Sequence, residues 1–325
     1  MGYKEFLIKR SIQMFITILI VITINFFIFR IMPGNPAVFV IGNPRIKDNP
    51  EAMKRLLSLW GLNRPLHEQY FIYLYNLLTF RFGISFFHGK NVGDLIMEYL
   101  PWTLLLLGSA TVISIVVGIL IGAIAAAKPG SKFDVATLFI GLFLYSLPVF
   151  WIGLILLLVF AYYIPIFPLG RATSALARYP TPLHFVADVL WHMFLPLLAL
   201  TLISFGGWIL ITRNAMLDAM TEDYILTARA KGLDEKTIIY KHAMRNAMLP
   251  LVTVIALAMA SIVSGAILTE TVFSWPGMGT LIYEAVMNQD YPVLEGAFYV
   301  IALITIFANF IADLLYGFLD PRVKY

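Results

Sequence analysis

The sequence predicts an all-α integral membrane protein with six transmembrane helices, and three observations carry that expectation. Only 13% of the 325 residues are charged and 60% are hydrophobic, against about 25% and about 45–50% in soluble domains. Mean hydropathy is +0.84. Six stretches free of Asp, Glu, Lys and Arg lie at 11–29, 99–127, 135–170, 189–212, 246–269 and 296–312. Each is close to or longer than the roughly 20 residues a helix needs to cross about 30 Å of hydrocarbon. Period-two alternation is absent, which argues against a β-barrel, and lipid offers backbone groups no partner outside a helix or a barrel.

The same composition excludes several classes. With no cysteine, the chain has no disulfide, thiolate metal site or cysteine nucleophile. Its net charge is +4, and its 23 basic residues are dispersed along the chain, which is not a nucleic-acid footprint.

Taken in order, the segment 1–31 starts with Lys4, Lys9 and Arg10 and continues as a long apolar run. The run exceeds the 7–15 residues of a signal-peptide core, and Arg30-Ile31-Met32-Pro33 is not a small-residue cleavage site. It reads as a retained helix. The segment 32–100 is a long outer connection. Asn49-Pro50-Glu51 is a helix start, and Arg64-Pro65 opens a second, aromatic one over 70–80. This segment reads as a small helical cap or an interfacial helix. Residues 101–319 form a five-helix core. The third run is expected to stop near Tyr163, before Ile164-Pro165-Ile166-Phe167-Pro168, and the last extends past Asp313 to Leu319. A short tail, 320–325, follows.

Orientation follows from the connections. With an internal N-terminus, the segments 1–10, 128–134, 213–247 and 320–325 hold 13 Lys/Arg in 58 residues, whereas the outer segments hold 9 in 122. Both termini are therefore expected to face the cytoplasm.

The segment 213–247 is the one long inner connection, with six basic and five acidic residues. Helix formers run over 221–231. Gly232 breaks them as a left-handed C-cap, and Asp234 is an N-cap for a second short helix expected over 235–245. Leu249-Pro250 then leads into the fifth span. A helix–glycine–helix hairpin between two spans is the expectation, with Thr227, Ala228 and Ala230 small enough for a partner's surface to approach. From the residues alone it is either a solvated loop or a docking element.

The stretch Asp223-Tyr224-Ile225-Leu226-Thr227-Ala228-Arg229-Ala230-Lys231-Gly232-Leu233 resembles the coupling-loop motif of binding-protein-dependent ABC importer permeases, as does His242-Ala243-Met244-Arg245-Asn246-Ala247-Met248-Leu249-Pro250. Leu226 and Thr227 stand where the general motif has Glu and Ala, and 18 residues rather than 13 separate Gly232 from Pro250. Those departures resemble the dipeptide/oligopeptide/nickel branch. Pro33-Gly34-Asn35-Pro36, Gly61-Leu62-Asn63-Arg64-Pro65, Phe82-Gly83-Ile84-Ser85, Ser146-Leu147-Pro148-Val149-Phe150-Trp151-Ile152-Gly153, the stretch from Thr269 to Gly279, Asn288-Gln289-Asp290-Tyr291-Pro292 and Leu319-Asp320-Pro321-Arg322 extend the likeness over nearly the whole chain. The long first outer loop suits the first of the two permeases in such systems.

The resemblance implies a type I importer permease that forms half of a pathway for di- or oligopeptides. Nickel and β-linked oligosaccharides are alternative cargoes of the branch. It implies a second homologous permease, two ABC ATPase subunits carrying ATP and Mg, an extracytoplasmic substrate-binding protein and a location in the cytoplasmic membrane. No cofactor or metal is expected in this chain, and it is expected to be non-catalytic; it carries no GxxxxGK[ST] phosphate loop. The ATPase contact is expected at Tyr224, Thr227, Ala228, Arg229, Ala230, Lys231, Gly232, Leu233, Asp234, Arg245 and Pro250. A secondary transporter or channel would show repeated halves or paired mid-span acids, and an intramembrane enzyme would show a clustered catalytic set. The sequence has none of these.

Other residues have plainer readings. Gly118 and Gly122 form a GxxxG pair suited to close helix packing. Gly206-Gly207-Trp208 is either a flexible step or tight packing. His192 reads as a hydrogen-bonded structural residue. Asp313 reads as packing, interfacial or functional, and Glu270 and Glu295 as outer helix ends. Arg30 is placed to snorkel to the outer interface.

Overall fold

The computed structural model describes residues 3–31, 64–262 and 266–319. The helix start at Asn49-Pro50-Glu51 and the tail 320–325 lie outside them. The chain is helical, with no β-strand among the described residues. In order the helices are α1 (Tyr3–Ile31), α2 (Leu66–Leu78), α3 (Val92–Ala126), α4 (Lys132–Ser146), α5 (Val149–Leu157, prolonged by a π-turn Leu158–Tyr163), α6 (Pro182–Met220), α7 (Asp223–Ala230), α8 (Glu235–Thr237), a π-turn (Ile238–Ala243), α9 (Met244–Ser261), α10 (Ile267–Val272), α11 (Met278–Met287) and α12 (Tyr291–Leu319).

Five helices among the described residues are long and apolar enough to cross a bilayer: α1, α3, α6, the rod Glu235–Met259 and α12. The third apolar run differs from the single helix expected. It ends at Tyr163 as expected, but α4 and α5 meet at 94°. Pro148 causes the break. Its ring disfavours the helical region for the preceding residue, and Leu147 accordingly sits extended at φ −85° and ψ 142°.

Two long helices form the axis of the bundle. α3 has 35 residues and α6 has 39, about 52 and 58 Å at 1.5 Å per residue. They touch at the GxxxG pair. A Cβ on Gly122 would lie 2.8 Å from the Ile209 carbonyl oxygen and 2.9 Å from Thr212 Cβ, and one on Gly118 would collide with Trp208 Cβ. Only hydrogen fits, and the backbones gain dispersion contact along their length. α4 crosses α6 at Gly206 in the same way, since a Cβ there would strike the Gly141 carbonyl. Within the Gly206-Gly207-Trp208 step, Gly206 and Trp208 are tightly packed, against α4 and α3 respectively, and Gly207 is not.

At one end of the bundle α2 caps the spans. Ile22 and Phe26 of α1 pack on Tyr73 and Leu77 of α2 and Tyr299 of α12. Asn25 Nδ2 donates to the Tyr73 hydroxyl (2.8 Å) and the Glu295 carbonyl (3.2 Å). Near the other end of α1, Arg10 Nη1 pairs with Asp313 Oδ2 at 3.0 Å, with both side chains well exposed; such a pair contributes about 0–1 kcal/mol. His192 Nδ1 is hydrogen-bonded to the Asp188 carbonyl at 2.8 Å. Glu270, expected to mark an outer helix end with no special role, lies within the short helix α10. It is fully buried, because the turn after α10 folds back over it: Trp275 N–H donates to the Glu270 carbonyl at 2.7 Å.

The glycine contacts give a paired test. Gly206→Ala should lower the yield of monodisperse protein in detergent several-fold, read by fluorescence-detected gel filtration. Gly207→Ala should stay near wild type, since its Cβ would meet only the Tyr145 ring at 3.6 Å. Equal yields would contradict the tight crossing.

Candidate functional site

The segment from Met220 to Pro250 builds a compact hairpin at the end of α6. Thr221 and Glu222 separate α6 from α7, and the Tyr224 hydroxyl ties back to the Ala219 carbonyl at 3.0 Å. Ile225 and Ala228, three residues apart and so on one helix face, point inward. They pack with Ala126 of α3, Met216 and Ala219 of α6, and Ile238, Ile239, Ala243 and Ala247.

Gly232 ends α7 as the sequence predicts. Its φ is +75°, a region that costs non-glycine residues about 1–2 kcal/mol. Its N–H donates to the Arg229 carbonyl (2.9 Å), and the Leu233 N–H reaches back to the Ala228 carbonyl (3.3 Å). This is the Schellman pair of bonds that satisfies carbonyls at a helix end. Asp234 is the N-cap expected, accepting the Thr237 N–H at 3.1 Å. Hydrogen bonds from Thr237 hold its carboxyl below the usual carboxylate range. Arg229 closes the turn with a two-pronged contact to Glu235, at 3.0 and 3.4 Å.

Two sequence expectations are corrected here. The second arm is not a separate helix over 235–245. α8 runs through the π-turn directly into α9, so the arm is the start of the fifth span itself. No glycine or proline interrupts the chain between Asp234 and Pro250, and Pro250 lies inside α9 rather than before it. The small-residue face is also split. Thr227 and Ala230 are exposed, but Ala228 is buried against this chain's own helices.

Leu226, Thr227, Arg229, Ala230, Lys231 and Leu233 are exposed around the tip, and Tyr240 is exposed on the second arm. Leu226 is 60% exposed and Tyr240 52%. Arg245 and Pro250 are exposed farther along. Pro250, Leu249 and Asn246 line a groove of about 470 Å³ whose opposite wall includes Asp218, Glu222 and Tyr224. The eleven residues singled out in the sequence thus fall into an outward tip, an inward anchor (Ala228), a structural turn (Tyr224, Gly232, Asp234) and two positions on the rod (Arg245, Pro250).

Sequence reading missed the anchor beneath this hairpin. Arg213 of α6 makes a bidentate ion pair with Asp134 at the start of α4, Nε to Oδ1 and Nη2 to Oδ2 (2.8 Å). Asp134 is 1% exposed. It also accepts the Gly130 N–H at 2.9 Å, and Ser131 caps the helix by accepting the Asp134 N–H at 3.2 Å. A lone acid opening one apolar run and a lone arginine closing another were the available signal, but 79 residues separate them. Among the described residues, no group of three or more His, Asp or Glu is arranged to hold a metal.

Removing one partner of such a buried pair costs about 3–5 kcal/mol, against under about 1 for an exposed one. Asp134→Ala should therefore lower the melting temperature of the purified chain far more than Lys90→Ala, which opens the exposed Lys90–Glu98 contact. Equal shifts would contradict the anchoring role.

Comparison with known proteins follows the whole chain. The family described as "Binding-protein-dependent transport system inner membrane component" matches residues 118–325, and the N-terminal family of the same transport-system membrane components matches residues 3–107. The chain is 37% identical to the dipeptide transport system permease protein DppB of Alkalihalophilus pseudofirmus, over 97% of this chain and 98% of that one. It is 35% identical to the oligopeptide transport system permease protein AppB of Bacillus subtilis (98% and 99% covered) and 34% identical to DppB of Escherichia coli (99% of each).

Proposed function

From the premise that the chain belongs to the binding-protein-dependent transport system inner membrane component family, and is thus a multi-pass membrane permease subunit, we propose that it forms half of the translocation pathway of an ATP-driven importer of di- and oligopeptides, coupled to its ATPases through the segment 213–247 and the hairpin it builds. The observation that carries this reading is the hairpin's construction. It presents exposed apolar side chains, Leu226, Leu233 and Tyr240, on a turn braced by a Schellman motif, an N-cap and an ion pair. A solvated loop needs neither the bracing nor the apolar knobs.

In this reading two ABC ATPase subunits hold ATP and Mg and close on hydrolysable nucleotide, and the hairpin tip sits against one of them. A second homologous permease completes the pathway. An extracytoplasmic binding protein delivers the peptide, and both termini face the cytoplasm. The names of the relatives support the peptide cargo. Rigid-body displacement, rather than bending of a loop, is what such coupling requires. The corrected geometry suits it, because the hairpin's second arm is the fifth span.

The test is at Gly232. A Cβ there would meet open space, so substitution acts through the backbone alone. In the complex reconstituted in vesicles, Gly232→Val should leave insertion and assembly near wild type and reduce ATP-dependent uptake of a labelled tripeptide by about tenfold or more, because β-branched residues resist positive φ. Gly232→Asn, which tolerates that region, should retain most uptake. Undiminished uptake in Gly232→Val would defeat the coupling assignment. Wild-type complex that takes up no peptide would defeat the cargo.

A further inference from the structure

Two carboxylates at the bundle end opposite the hairpin are fully buried, Glu270 and Asp290, and neither makes an ion pair with a described residue. A buried carboxylate without a cation persists only if donors replace its water. Here neutral donors do so. Glu270 Oε1 accepts from the Thr103 hydroxyl at 2.9 Å, and Oε2 accepts from the Thr280 N–H at 3.1 Å. Thr103 Oγ1 in turn accepts the Met278 N–H at 2.7 Å. Asp290 accepts from the Ser85 hydroxyl and from the N–H groups of Phe86 and Phe87, both at 3.1 Å.

The two acids bracket one element. α11 has 10 residues, too few to cross a bilayer, and connects the last two spans. Glu270 lies against its N-terminus, where unpaired N–H groups favour negative charge. Asp290 lies three residues past its last helical residue. Glu270 reaches Thr103 in α3, and Asp290 reaches 85–87, the loop leading into α3. The Trp275 indole N–H adds a bond to the Trp102 carbonyl at 3.0 Å. The cradle is built for the carboxylate, since a Cβ on Gly277 would lie 2.5 Å from Glu270 Cδ and from Thr103 Oγ1, and one on Gly279 2.7 Å from Glu270 Oε2. Burial pushes the Glu270 carboxyl above the usual range, while the Thr103 and Thr280 bonds pull it back.

The other end of α3 is Ala126, fully buried in the hairpin's own cluster beside Ile225 and Ala228. From Thr103 to Ala126 is about 35 Å of continuous helix. One rod therefore has the hairpin packed at one end and α11 fastened at the other. We propose that Glu270 and Asp290 are positioning residues of the transport cycle, fastening α11 to α3 so that a displacement of the hairpin is carried to the opposite end of the pathway. This rests on the permease reading above and goes beyond it.

The test uses the whole complex, with ATPases, second permease and binding protein, in vesicles. Thr103→Val, Glu270→Gln and Asp290→Asn keep side-chain shape while removing donors or charge. Each should leave ATP hydrolysis within about twofold of wild type and lower the peptide imported per ATP hydrolysed roughly tenfold, the size expected for loss of a charge-assisted hydrogen bond. A variant that only folds less well lowers uptake and hydrolysis together, so an unchanged ratio overturns the proposal. A second readout uses the absence of cysteine. Spin labels at Met97→Cys on α3 and Met287→Cys on α11, both well exposed, should give a narrow distance distribution that Glu270→Gln broadens. An equally narrow distribution also overturns the proposal. A wild-type complex without ATP-driven uptake would instead overturn the permease reading and leave the label result to judge the clasp.

Discussion

In a bilayer the hydrophobic effect does not hold helices together, because lipid tails are as apolar as leucine. What remains is contact at short range, and α3 and α6 obtain it where Gly118 and Gly122 let the second backbone in against the first. α4 closes on α6 by the same means at Gly141 and Gly206. The buried Asp134–Arg213 pair then fixes the rotation of α4 about this axis at the hairpin end. Everything proposed about transmission depends on this three-helix unit behaving as one body. The hairpin packs on its end through Ile225 and Ala228, and the fifth span begins inside the hairpin itself.

The distribution of scarce charge fits this view. Among the described residues, the buried carboxylates sit at joints. Asp134 joins α4 to α6, Glu270 joins α10 and α11 to α3, and Asp290 joins the α11–α12 turn to the loop before α3. Each carboxylate is met by several donors at once, the condition under which burial of a charge is tolerated. Exposed pairs such as Arg10–Asp313 and Arg229–Glu235 trim local geometry and add little stability.

Much of the architecture was legible in the sequence because its causes are local. Apolar runs of bilayer length mark spans whatever their neighbours, and Gly232 and Asp234 act within one turn of their own positions. The bend at Pro148 was half legible: the proline stood in a noted motif, but its direction and size depend on what α4 and α5 pack against. The π-turn at Ile238–Ala243 leaves no mark in composition, so the second arm read as a separate helix. Ala228 was misplaced because a small residue suits an inner anchor as well as an outer contact. Glu270 was read as a helix end because its partner Thr103 lies 167 residues away, and no local pattern reports a contact of that separation.

The proposed coupling depends on the hairpin tip meeting an ATPase. A cysteine-free chain allows this to be read directly, by placing single cysteines at Leu226 on the tip and at Leu154 on the exposed flank of α5 and cross-linking the assembled complex with a short bifunctional thiol reagent. The Leu226→Cys chain, and not the Leu154→Cys chain, should join to an ATPase subunit, with a yield that changes on addition of nucleotide. Absence of that product from an intact complex, or equal products from both positions, would contradict the proposed coupling.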